Sequence, residues 1–114
     1  MRILVAEDSS TMARYLEVIL AHHGHNTTIA RDGVEAYEIF ASGDEFDAVL
    51  TDWMMPRMDG IDLIRKLRES PLIPPAIMML TTLDSESARG HALEAGADDY
   101  LAKRFTIPTL LAAV

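Results

Sequence analysis

The sequence contains no cysteine, few positive charges and no long apolar run. Without cysteine, neither a disulfide framework nor a thiolate metal site can form. The 10 lysines and arginines against 18 aspartates and glutamates give a net charge of −8, which repels nucleic-acid phosphate at long range. No apolar stretch approaches the roughly 20 residues that cross a bilayer, and the N-terminal segment turns acidic too early for a signal peptide. We therefore expect a cytoplasmic domain that binds neither DNA nor membrane directly.

The composition that is present fits one globular domain. A chain of 114 residues, 49% hydrophobic and 25% charged, can bury one core but not two. Short apolar runs predict five strands, which are Arg2–Ala6, Asn26–Ala30, Phe46–Thr51, Ala76–Leu80 and Asp98–Ala102. Apolar residues at helical spacing predict a helix after each strand. The last helix, starting near Thr106, is cut short by the chain end, which predicts that residues 1–114 are one domain of a longer protein.

Five consecutive strand–helix units predict an α/β fold with a parallel sheet and helices on both of its faces. Because crossovers between parallel strands are right-handed, few topologies remain. The commonest for five strands is the doubly wound, flavodoxin-like order 2-1-3-4-5. In that order, ligands bind beyond the carboxyl ends of strands 1 and 3, where the winding direction reverses.

Chemically active side chains stand at the ends of four of these strands. Strand 1 is followed by Glu7 and Asp8, strand 3 by Asp52, strand 4 by Thr81 and strand 5 by Lys103. Three clustered carboxylates disfavour their own ionisation unless a cation neutralises them. Ligands that are all oxygen favour Mg²⁺, with Mn²⁺ or Ca²⁺ as alternatives, over zinc. A carboxylate nucleophile beside a divalent cation, a hydroxyl and an amine is the outline of a phosphoryl-transfer site.

Taken singly, each of these residues also fits an ordinary structural role. Asp8 suits the N-cap of the first helix, Asp52 suits a turn, Thr81 suits a strand end and Lys103 suits an exposed surface. Their position at the ends of four different strands favours the site over four coincidences.

Four segments resemble one known family, in the right order and spacing. They are Glu7-Asp8, Leu50–Gly60 around Asp52, Met79–Thr82 and Ala95–Lys103. Together they resemble the receiver domains of CheY-like response regulators in two-component signalling, and the resemblance covers the whole chain.

The resemblance implies specific roles for the residues of the site. Asp52 would accept a phosphoryl group from a phosphohistidine on a sensor histidine kinase or a phosphotransfer protein. Glu7, Asp8, Asp52 and the backbone carbonyl of Met54 would coordinate Mg²⁺, with Mn²⁺ as an alternative ion. The protein would act as a signalling switch that catalyses only its own phosphorylation and dephosphorylation, not as an enzyme in the usual sense.

In the family's switch, Thr81 would move toward the phosphoryl group and Tyr100 would move inward. Lys103 would contact the phosphoryl oxygens. Tyr100 also fits the plainer role of an aromatic filler on an edge strand. The surface formed by helix 4, strand 5 and helix 5 would bind an output domain or a second copy of the chain. Arg104 departs from the family, which usually has proline there, and we expect a trans peptide bond between Lys103 and Arg104.

Three other functions compete with this hypothesis. A degenerate receiver would regulate without phosphorylation, but the acids, Thr81 and Lys103 are all present. A metal-dependent phosphohydrolase would need a further general acid and a substrate cap, for which the chain has no insertion. A nucleotide or flavin carrier would need a phosphate-binding loop after strand 1, where residues 7–10 are Glu-Asp-Ser-Ser without glycine.

Overall fold

The computed structural model describes residues 1–72, 75–81 and 85–102 of the chain. Strands and helices alternate along them. The strands are β1 (Arg2–Ala6), β2 (Asn26–Ala30), β3 (Ala48–Thr51), β4 (Ala76–Thr81) and β5 (Asp99–Ala102), and the helices are α1 (Ser10–His22), α2 (Gly33–Ala41), α3 (Gly60–Glu69) and α4 (Glu86–Ala95). Thr82, Lys103, Arg104 and the helix predicted from Thr106 lie outside the described residues. No described helix combines the length and the apolar character needed to cross a bilayer.

All five strands pair in parallel, in the order β2-β1-β3-β4-β5. This confirms the predicted doubly wound fold. Successive side chains of a strand point to opposite faces, so each central strand supplies two cores. Residues such as Leu4, Val49 and Ile77 pack with α2, α3 and α4, whereas neighbours such as Leu50 and Met78 pack with α1 on the other face.

The third strand is shorter than predicted, because it begins at Ala48 rather than Phe46. Asp47 interrupts the sheet pattern: its amide donates to the Arg2 carbonyl at 2.8 Å and its carboxylate accepts the Arg2 amide at 2.8 Å. A side-chain acceptor thus replaces a backbone acceptor where the ladder ends. Phe46 lies before the strand, half-buried, with the Arg2 guanidinium carbon 5.2 Å from its ring centroid.

Each of the four described helices follows a strand, so each starts at the carboxyl edge of the sheet, and each has a polar N-cap. Asp32 caps α2, since its Oδ1 accepts the Glu35 amide at 2.9 Å. Helix α1 is capped by Ser9, whose hydroxyl oxygen accepts the Met12 amide at 3.3 Å. The alternative role of Asp8 as the N-cap is therefore wrong, and its carboxylate is left to the acidic cluster.

Candidate functional site

The structure brings Glu7, Asp8 and Asp52 together. Each offers a carboxylate oxygen, and these three oxygens lie within 4.8 Å of one another. The register explains the meeting: Ala6 pairs with Thr51, so the residues that follow both strands leave the sheet side by side. Glu7 and Asp52 are buried, 2% and 7% exposed, while Asp8 is exposed. The cluster therefore has an inner wall of two carboxylates and an open side at Asp8.

Backbone amides fix the two inner carboxylates. Oδ1 of Asp52 accepts the amide of Trp53 at 2.7 Å, and Oε1 of Glu7 accepts the amide of Ser9 at 3.2 Å. The Asp52 main chain is held as well, because its amide donates to the Ala6 carbonyl at 2.9 Å and its carbonyl accepts the Thr51 hydroxyl at 2.8 Å. The carboxylates are thus oriented before any ligand arrives.

The donor set of the cluster fits a hard divalent cation. Its ligand atoms are oxygens, and no histidine or cysteine belongs to the group. Such a set favours Mg²⁺ or Mn²⁺ over zinc. Three carboxylates this close repel one another, and a bound cation removes that penalty. The cluster borders a cavity of about 210 Å³, which carries Arg14 and Arg31 on its wall.

The structure places Thr81 at the carboxyl edge of the sheet and Tyr100 in the core behind that edge. Thr81 is the last residue of β4 and is fully buried. Tyr100, in β5, is buried in the core on the α2–α4 face, with the Arg89 guanidinium carbon 5.4 Å from its ring centroid. Met54 follows Asp52 by two positions and exposes 66% of its surface. Ligation by the Met54 carbonyl and the switch roles of Thr81 and Tyr100 stay predictions, while Lys103 follows the last described residue.

An ion pair that sequence reasoning missed braces the loop between Asp52 and α3. Arg57 Nε donates to Asp32 Oδ2 at 2.8 Å, across 25 residues of sequence. Arg57 has a φ of 65°, a left-handed conformation that is uncommon outside glycine. The pair therefore ties the loop that carries Met54 to the N-cap of α2. Nothing in the local sequence around either residue signals the other.

The Asp32–Arg57 pair predicts a pH-dependent stability. The hydrogen bond from Arg57 is the main cause that holds the pKa of Asp32 below its ordinary value of 3.8, although burial opposes it. A carboxyl whose pKa is lowered by folding stabilises the fold above its unfolded pKa and loses that contribution as the pH falls through its folded pKa. We expect Arg57→Gln to lower the free energy of unfolding, measured by urea denaturation at pH 6.

The difference between wild type and Arg57→Gln should then shrink as the pH is lowered below 3.8. The control is Arg65→Gln, a change at an exposed arginine of α3. It should change the free energy of unfolding by the same amount at pH 6 as below pH 3.8. A constant difference between wild type and Arg57→Gln from pH 6 to pH 2 would show that the ion pair does not set the pH dependence.

Comparison with known proteins identifies the class to which this fold and cluster belong. Residues 3–114 match the response regulator receiver domain family. The chain is 46% identical over 112 residues to the response regulator MprA of Mycobacterium avium, a match that covers 98% of this chain and 48% of that protein. With MprA of Mycobacterium leprae it shares 44% identity over 114 residues, covering all of this chain and 49% of that protein.

Solved receiver structures have the same fold. The BeF3-activated N-terminal receiver domain of Klebsiella pneumoniae RstA superposes with a TM-score of 0.91 at 33% identity, over 98% of this chain and 93% of that one. The receiver domain of the Francisella response regulator 1452 gives 0.89 at 36% identity, over 97% and 90%.

The chain therefore belongs to the response regulator receiver domain family of two-component signalling. Its fold is that of the CheY-like receivers. The chain spans about half the length of the curated relatives it matches.

Proposed function

We propose that this domain is a phosphorylation-controlled switch whose acceptor is Asp52. The observation that carries the proposal is the meeting of Glu7, Asp8 and Asp52 at the carboxyl edge of the sheet, with their oxygens within 4.8 Å. A receiver that had lost phosphorylation would have no need to keep three mutually repelling carboxylates together. The proposed donor is a phosphohistidine on a sensor histidine kinase or phosphotransfer protein.

In the proposed reaction, a carboxylate oxygen of Asp52 attacks the phosphorus of the donor. A P–O bond to Asp52 forms as the P–N bond breaks, and the imidazole leaves with its electron pair and takes up a proton. The Trp53 amide donates to Oδ1 at 2.7 Å and so orients the attacking carboxylate. Bound Mg²⁺, held by Glu7, Asp8, Asp52 and the Met54 carbonyl, supplies charge neutralisation for the phosphoryl oxygens.

The remaining residues are assigned by their chemistry. Thr81 presents a hydroxyl from the neighbouring strand end, and Lys103, which follows β5, is proposed to contact a phosphoryl oxygen. Arg14, Arg31 and Glu17 border the cavity next to the acidic pair. The domain is proposed to signal through an output domain or a second copy, not to turn over a substrate. The cytoplasmic location expected from the sequence stays a prediction.

Magnesium binding tests this proposal before any phosphate is added. Trp53, the only tryptophan of the chain, adjoins Asp52, so its fluorescence should change in a saturable way with millimolar Mg²⁺. Ligand linkage predicts a gain in unfolding free energy of about 1.4 kcal/mol when Mg²⁺ is ten-fold above its Kd. Asp8→Asn should weaken binding by about 10-fold or more, since outer-shell changes alone typically cost that much.

Asp62→Asn is the matched control, because Asp62 is an exposed carboxylate of α3 outside the cluster. It should bind Mg²⁺ like wild type. A titration in which Asp8→Asn and Asp62→Asn behave alike, or in which wild type shows no response, would count against the acidic cluster as the metal site.

A further inference from the structure

Helix α4 packs on the sheet through small side chains. Its buried residues are Ala88, Ala92 and Ala95, and Gly90 lies in its middle. Methyl groups bury little apolar area compared with leucine or isoleucine. The position of this helix therefore depends strongly on the few larger groups that touch its flanks.

Two such contacts flank Gly90 within one turn. Arg89 lies over the ring of Tyr100, and the ring of His91 lies against the indole of Trp53, with centroids 6.3 Å apart and planes inclined by 64°. This edge-to-face geometry is a preferred arrangement for aromatic pairs. One of the two contacts joins α4 to β5, and the other joins it to the residue next to the proposed phosphate acceptor.

Trp53 is firmly tied to Asp52 through its backbone. Its amide donates to Asp52 Oδ1 at 2.7 Å, and its carbonyl accepts the Gly60 amide at 2.8 Å, where α3 begins. Its half-buried indole packs against the core on the α4 side. A shift of the indole therefore also shifts the backbone of Trp53, whose amide orients the Asp52 carboxylate.

We propose that His91 is a positioning residue for the Asp52 site, acting through the indole of Trp53. The inference rests on the proposed function of Asp52. It extends that function by adding the contact between His91 and Trp53, which lie 38 positions apart in sequence. His91 presses the indole against the core, so that the Trp53 amide meets Oδ1 in one geometry.

The test compares three variants at pH 8. His91→Ala removes the ring, His91→Phe restores an aromatic ring, and Leu93→Ala truncates another exposed side chain of α4. The readouts are the emission of Trp53 without ligand, its accessibility to a neutral quencher, and the midpoints for Mg²⁺ and for beryllofluoride, a mimic of the phosphoryl group.

We expect His91→Ala to shift the emission, to increase quenching and to raise both midpoints by three-fold or more. His91→Phe should return them to within two-fold of wild type, and Leu93→Ala should match wild type throughout. Unchanged emission in His91→Ala would overturn the inference, and so would a shifted emission with unchanged midpoints, since His91 would then touch Trp53 without positioning the site. Absence of any ligand response in wild type would instead overturn the proposed function.

Discussion

Asp52→Asn should abolish phosphorylation while the domain stays folded. The amide side chain has nearly the same shape and keeps an oxygen that can accept the Trp53 amide, so the local geometry survives. It lacks the anionic nucleophile, and an amide does not form an acyl phosphate with the donor. Incubation with phosphoramidate and Mg²⁺, followed by intact-mass spectrometry, should show one phosphoryl group on wild type and background levels on the variant.

The same variant should be no less stable than wild type when Mg²⁺ is absent. Replacing one of three clustered carboxylates relieves part of their mutual repulsion. Asp62→Asn, at an exposed carboxylate outside the cluster, should be labelled like wild type. Labelling of Asp52→Asn at another carboxylate at the wild-type rate would move the acceptor and refute the assignment.

The fold and the acidic cluster could be predicted because both depend on patterns that are local in sequence. Apolar runs such as Arg2–Ala6 indicate strands buried on both faces. Right-handed crossovers leave few sheet orders, and the commonest of them is the one observed. Once that order is known, the residues after β1 and β3 must meet at one edge. The meeting of Glu7, Asp8 and Asp52 is thus a consequence of topology rather than of any single motif.

Contacts made by side chains far apart in sequence could not be predicted in this way. Arg57 meets Asp32, and His91 meets Trp53, because loop geometry and helix position place them together. The spacing of apolar residues along the sequence does not indicate which distant side chains will meet. The choice of Ser9 over Asp8 as the N-cap of α1 is a similar case, since both residue types are good caps and only the position of the first helical turn decides between them.

Gly60→Ala should be strongly destabilising, because the first residue of α3 lies against the strand end that carries Asp52. A Cβ at Gly60 would overlap the backbone carbonyl oxygen of Asp52 and lie 2.9 Å from the terminal methyl of Met79. The methyl group of Met79 can move. The carbonyl of Asp52 cannot move as easily, because the Asp52 amide donates a hydrogen bond to the Ala6 carbonyl. Relieving the overlap therefore requires α3 and β3 to separate.

Overpacking of this kind typically costs 1–3 kcal/mol, and a backbone neighbour places this position at the upper end, about 3 kcal/mol. Urea unfolding measures the loss, and a weaker Mg²⁺ response of Trp53 should accompany it as Asp52 shifts. Gly90→Ala is the matched control, since among the described residues nothing beyond its chain neighbours and the backbone of its own helix lies within 4 Å of a Cβ there. Helix α4 should gain up to about 1 kcal/mol from the better helix former. Loss of stability by both variants would point to a general intolerance of alanine, whereas opposite signs would locate the cost of Gly60→Ala in the contact between α3 and the Asp52 backbone.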